Sequence, residues 1–422
     1  MIARHIAAGL LALLVAAPAL AQTPAKEPSG KPIVIGFSMA LTGSLAVNGK
    51  SGLLAMQIWA EDQNKKGGLL GRPVKLDFYD DQTNPAQVPG IYTKLLDVDK
   101  VDLVVSGYGT NITAPAMPVV IAHKMTFMGL FALDVNEEFK YPNYFSMLPV
   151  GPDPRPAITE GFFDIIKANK EKLGLKTMAM AVGDGEATRN GADGARQNAK
   201  KAGIQIVYDK TYPLTTTDFS PVIRAIQATN ADIVYLSSYP NDSVGFIRSV
   251  HELGLNTKIF GGNPTGPQST SIKTSLGPML NGIITFDWWL PAPKLRFPGV
   301  MEFLAKYQER AVKEGVDPLG YYLGPWAYAD LQVLGEAVEA TKSLDQQKLA
   351  DYIRSHTFKT LVGDVTFGKK GEWAKARILT VQFQNISGTS VDDFRDGKGE
   401  TVVWPEEYKA GDVIVPYSKI KH

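Results

Sequence analysis

The sequence predicts an α/β protein built as two doubly wound lobes, each a parallel sheet covered by helices. Short β-branched runs alternate with amphipathic segments of helical spacing from residue 31 onward. The alternation occurs in two series of like order and length, divided by the proline-rich stretch LPVGPDPRP (148–156). The chain has 422 residues, more than one hydrophobic core usually organises.

In the first series, IVIGFSMA (33–40) reads as a strand and LTGSLAVNG (41–49) as a loop. KSGLLAMQIWAEDQNKKGG (50–68) is a helix that stops at paired glycines. VKLDFYDD (74–81) alternates as a strand, and Asn84-Pro85 places a cap and a first-turn proline at a new helix. VDLVVSG is the third strand, a helix is expected near Ala114, and MTFMGLF (125–131) is the fourth strand. In the second series, ITEGFFDIIKANKEKLG (158–174) is a helix and KTMAMAVGD (176–184) a strand. IQIVYDKTY (204–212), ADIVYLSSY (231–239) and TKIFGGN (257–263) are further strands, with helices at 219–230 and 241–254 between them. Such strand–helix–strand units pack as parallel sheets covered on both faces.

The N-terminus has a separate meaning. A short basic start, the apolar run IAAGLLALLVAA (6–17) and Ala19-Leu20-Ala21 have the layout of a secretory signal peptide over 1–21, followed by a polar leader to residue 30. There is no cysteine, which removes thiol catalysis, cysteine metal sites and an acylated-cysteine anchor. Loss of Arg4 with the signal takes the formal charge from +1 to 0, against nucleic acid as a partner. The mature chain is expected to be free in an extracytoplasmic space.

In open parallel sheets, ligands sit outside the carboxyl ends of the strands. Loops 38–46, 106–115, 131–137, 237–242 and 261–266 fall there and are rich in hydrogen-bonding groups. In VVSGYGTNITAPA (104–116) an apolar strand ends abruptly in glycines, hydroxyls and an amide. Either this is an ordinary strand-to-helix turn or it is built to hold something small and polar, in which case Gly107 and Gly109 would let backbone amides approach closely and the following helix would add its positive end. Thr110 and Asn111 are equally suited to capping that helix. Catalytic signals are absent. Histidines 5, 123, 251, 356 and 422 are scattered, there is no G-x-S-x-G elbow, and VGDGEATRNGADG (182–194) fits neither a calcium loop nor a dinucleotide fingerprint. Asp80-Asp81 reads as turn and capping chemistry. Tyr322, Leu323 and Trp326 in GYYLGPWAYADL (320–331) have the spacing of helix core.

From Ile33 to Tyr417 the chain resembles the branched-chain amino acid-binding family of bacterial ABC importers, the type I periplasmic solute-binding proteins. Gly43, Gly52, Asn64, Gly68, Gly71, Asp80, Asp81 and Pro85 stand at positions of the family pattern, as do TTDFSPVIRAIQATNADIVYL (216–236) and FKTLVGDVTFGKKGEW (358–373). The resemblance implies the type I periplasmic-binding-protein fold, with three crossing segments near 147–154, 282–290 and 360–365. Lobe 1 is then 31–148 with 287–362, and lobe 2 is 149–286 with 363–418. It further implies a small-molecule ligand held by Ser106, Tyr108, Gly109 and Thr110, faced by Phe131, Ala132 and Leu133. Tyr239 and Asn263 are expected from lobe 2, and Trp288 from a crossing segment.

In amino-acid binders of this family an acidic residue grips the ligand ammonium; here its place falls to Asn263. Asp184, Glu186 or Asp242 could supply the missing charge from neighbouring loops. The ligand expected is thus a carboxylate or amide with an apolar or aromatic body. The implied protein is a monomeric, cofactor-free periplasmic binder that closes over its ligand and delivers it to the membrane subunits of an ABC permease. Ordinary branched-chain amino acid uptake and extracytoplasmic ligand sensing are the alternatives.

Overall fold

The computed structural model describes residues 27–421, so the expected signal peptide lies outside the described residues. Two sheets organise the chain. The first is wholly parallel, in the order β2-β1-β3-β4-β5: β1 (Ile33–Met39), β2 (Val74–Asp80), β3 (Leu103–Tyr108), β4 (Phe127–Leu130) and β5 (Tyr144–Ser146). Every residue of β3 and β4 is buried, as inner strands covered on both faces require. The second sheet contains β6 (Thr177–Gly183), β7 (Gln205–Tyr212), β8 (Ile233–Ser238), β9 (Ile259–Pro264) and β10 (Ile284–Asp287). After a separate hairpin, β11 (Thr357–Thr360) with β12 (Gly363–Thr366), it gains β13 (Leu379–Phe383) and β14 (Glu400–Trp404). Its order is β14-β13-β10-β9-β8-β6-β7, and β13 and β14 run antiparallel. The second sheet is therefore mixed. Its last two strands are joined without a covering helix, so the alternation that marks the parallel units does not extend to them.

Several helices differ from the sequence reading: Ala46–Lys65 starts within the expected 41–49 loop, and Pro154–Leu173 within the proline-rich divider. The helix after β3 begins at Thr110, a turn before Ala114, because Gly109 leaves the strand at φ +95°. Pro115 and Pro118 then lie inside it rather than at its start. Glu186–Ala202 is a full helix where sequence showed only a glycine-rich segment. A Cβ at Gly194 would come within 1.7 Å of the Arg155 carbonyl, so glycine there allows this helix to press against Pro154–Leu173. Asp80 and Asp81 do organise a turn. Asp80 accepts from the Leu41, Thr42 and Gln82 amides, and Asp81 from that of Thr83.

The chain passes between the two sheets three times, after β5, after β10, and between the β11–β12 hairpin and β13. Arg377 ties these passages together. Its amide donates to the Pro149 carbonyl at 2.8 Å and its Nη2 to the Val362 carbonyl. Its guanidinium lies over Phe297, Trp326 and Trp373, at 5.0, 5.5 and 4.9 Å. Desolvation among these rings lowers its pKa to about 10, so it stays protonated at neutral pH.

Candidate functional site

Between the carboxyl edges of the sheets lies a cavity of about 60 Å³, the scale of one small ring. Tyr108 from the end of β3, Gly109, Thr110 and Asn111 at the start of the next helix, and Phe131 and Leu133 after β4 form one wall. Tyr239, Asn263 and Thr265, following or ending strands of the second sheet, form the other. Phe286, Trp288 and Tyr322 close the side where the chain passes between sheets.

Phe131 is the centre of the apolar wall. Its ring lies 5.4 Å from Trp288, 5.4 Å from Tyr322 and 5.6 Å from Trp326, and its backbone is left-handed at φ +56°. Such a conformation in a bulky residue is sustained by surrounding packing. The Tyr108 and Tyr322 hydroxyls are 3.1 Å apart. Burial raises both phenol pKa values, that of Tyr322 to about 12, so both rings are neutral. Trp288 Nε1 makes no hydrogen bond that satisfies distance and angle, although its N–H lies near enough to Tyr322 to favour the phenolate slightly.

The polar end is the start of helix Thr110–Ala122. Its first amides have no carbonyl a turn earlier to bond, and they carry the positive end of the helix dipole. Thr110 Oγ1 accepts the Leu133 amide at 3.0 Å, which leaves its own proton free. Thr110 thus bridges two loops and does not cap its own helix. Two expected residues stay out of the cavity. Ser106 Oγ donates to the Gly107 carbonyl at 2.8 Å and accepts the Leu130 amide at 2.7 Å, so it fastens β3 to β4. Ala132 is fully buried in the cluster beneath this sheet. Tyr322, expected as helix core, instead precedes helix Gly324–Thr341 and reaches the cavity. Only the helix boundary, which periodicity blurs, separates the two outcomes.

Hydrogen bonds cross the cleft. Tyr239 Oη donates to Asn111 Oδ1 at 3.1 Å, Asn190 Nδ2 to the Leu133 carbonyl at 3.4 Å, and Arg155 Nε to Asp134 Oδ2 at 2.6 Å. The structure is closed.

No charged side chain lines the cavity. Asp184 is paired with Arg189 at the surface, and Glu186 heads its helix outside the lining. Asp242 accepts the Tyr212 hydroxyl at 2.7 Å, away from the cavity, where burial raises its pKa to about 6. Behind the wall, Asp287 accepts the Trp288 amide at 2.7 Å. Burial and the Glu400 charge raise its pKa, while Lys273, ion-paired with Glu400, opposes them. Among the described residues no group of acidic or histidine side chains is placed to hold a metal. The arrangement has room for a small molecule and places the start of a helix, with its unpaired backbone donors, at one end of that room.

The periplasmic binding protein family profile matches residues 32–387. The chain belongs to that family. Its members are solute-binding proteins, not enzymes. An amino acid binding protein of Pseudomonas aeruginosa is 25% identical over 81% of this chain and 87% of its own. Among solved structures, a solute binding protein from R. palustris in complex with 4-hydroxybenzoate has a TM-score of 0.71 at 20% identity, covering 88% of this chain and 95% of that one. The branched-chain amino acid transporter substrate binding protein LivJ of Streptococcus pneumoniae, in complex with isoleucine, has a TM-score of 0.70 at 18% identity, covering 92% of this periplasmic binding protein and all of its own chain. The two-lobed type I fold implied by the sequence is the fold found. No helix among the described residues is long and apolar enough to cross a membrane.

Proposed function

We propose that this protein captures a small carboxylate with an apolar or aromatic body and delivers it to the membrane subunits of an ABC permease. The lobes, 31–148 with 287–362 and 149–286 with 363–418, close over the ligand by hinge motion, which requires only that the closed form bind it better than the open one. The observation carrying this reading is an uncharged cavity walled by Tyr108, Phe131, Trp288 and Tyr322, with a helix N-terminus at one end. An α-ammonium buried there has no carboxylate partner, a costly arrangement. Uptake of a branched-chain amino acid is the second reading, favoured by relatives named as Leu/Ile/Val-binding proteins.

A thermal-shift screen with matched pairs tests it, setting each branched-chain or aromatic amino acid beside its amine-free acid. A ligand at about a hundredfold over its Kd stabilises by roughly 2.7 kcal/mol, a shift of several degrees. Stabilisation by the acids alone is expected. Stabilisation by the amino acids alone would favour the second reading.

A further inference from the structure

The two hydroxyls on the second-sheet wall have already given their protons elsewhere. Tyr239 donates to Asn111, and Thr265 Oγ1 donates to the Ser238 carbonyl at 2.9 Å. Asn263 is the informative case. Ser237 Oγ donates to the Thr188 carbonyl at 3.0 Å, so towards Asn263 it can only accept. That fixes the amide: Nδ2 faces Ser237 Oγ at 3.4 Å, packed against Gly191 on the helix behind. Oδ1 is left without a partner, in a side chain 4% exposed that lines the cavity. A buried carbonyl oxygen with no donor costs free energy that a ligand can recover. The opposite wall has the reverse character, with the amides of Thr110 and Asn111 and the free proton of Thr110 Oγ1.

We propose that the ligand carries, towards the second-sheet wall, an uncharged hydrogen-bond donor, a hydroxyl or an amide N–H, and that Asn263 reads it. This rests on the carboxylate reading above and adds a requirement at the far wall. A charged donor is disfavoured because no lining residue is acidic, and a bare hydrocarbon end leaves Asn263 Oδ1 unpaired.

The test is titration calorimetry with 4-hydroxybenzoate and 4-methylbenzoate, which match in size and differ in the donor, on the wild type and on Asn263→Leu. The wild type is expected to prefer the hydroxy acid by about tenfold to a hundredfold. In Asn263→Leu the preference disappears while the methyl acid still binds. If a melting scan shows that variant unfolded, Asn263→Ala makes the same comparison. Equal binding of both acids by the wild type, or a preference that survives the substitution, overturns the inference and leaves the carboxylate reading standing. Binding of neither acid overturns both.

Discussion

Arg155 Nε donates to Asp134 Oδ2 at 2.6 Å across the cleft, while the same guanidinium lies 3.6 Å from Asp193 on the helix behind it. Asp134 is the more enclosed partner, at 9% side-chain exposure against 39% for Arg155. The pair is a clasp on the closed form, and solvent at its arginine side keeps it weak. Arg155→Gln is expected to weaken ligand binding about twofold to fivefold, ~0.5–1 kcal/mol. Small-angle scattering of the ligand-free variant should show a larger radius of gyration than the wild type. An unchanged radius and affinity would show that the clasp does not bias closure.

Thr110 serves both sides of its loop. Its Oγ1 accepts the Leu133 amide, and its proton, given to no acceptor, is the one proposed to reach the ligand. Thr110→Ala should reduce affinity about tenfold to a hundredfold, whereas Thr110→Ser stays near the wild type. Calorimetric titration distinguishes them, and an alanine variant with wild-type affinity would remove Thr110 from the site.

Phe131 touches Trp288, Tyr322 and Trp326 at once. Truncation to alanine opens a space that these large rings cannot all collapse into. Phe131→Ala should cost about 3–5 kcal/mol of stability, read from denaturant midpoints. A loss below ~1 kcal/mol would mean that the rings repack and that Phe131 does not organise them.

Glu372 is 3% exposed, and burial raises its pKa to about 8, with the Asp134 charge adding and Lys370 opposing. Between the ordinary value of 4.5 and 8 the folded chain holds a proton that the unfolded chain releases. Stability from this group is therefore full below that window and falls as pH rises through it. Glu372→Gln should flatten this part of the pH–stability curve, measured by urea midpoints from about pH 5 to about pH 8. A variant with the wild-type slope would place the titrating group elsewhere.

Much of this protein was legible because the signals are local. Eight strands of the two series were read to within a few residues, since their apolar pattern repeats along the chain itself, while the short strands Tyr144–Ser146 and Ile284–Asp287 were not read. SGYGTN stood out because an apolar strand ending in hydrogen-bonding groups contradicts its own hydropathy, and the cavity collects Tyr108, Gly109 and Thr110 from it. It also collects Phe131, Leu133, Tyr239, Asn263 and Trp288. Ser106 was illegible, because a hydroxyl beside a glycine looks the same whether it faces a ligand or fastens β3 to β4. Helix Glu186–Ala202 was hidden by Gly191 and Gly194, whose lack of side chains weakens helical propensity and serves close packing.

The sequence by itself determined the fold class, the two-series layout and the strand ends that carry polar loops. Each is written in periodicities and turn residues that act over a few positions. The tertiary structure alone decided which side chains meet. Tyr108 and Tyr322 join hydroxyls across 214 residues, and Asn111 and Tyr239 across 128. It alone decided that the Asn263 amide turns its nitrogen to Ser237 and leaves its oxygen unpaired. Such contacts join residues far apart in the chain, within a lobe or between lobes, and their energy is one that no short window of sequence contains.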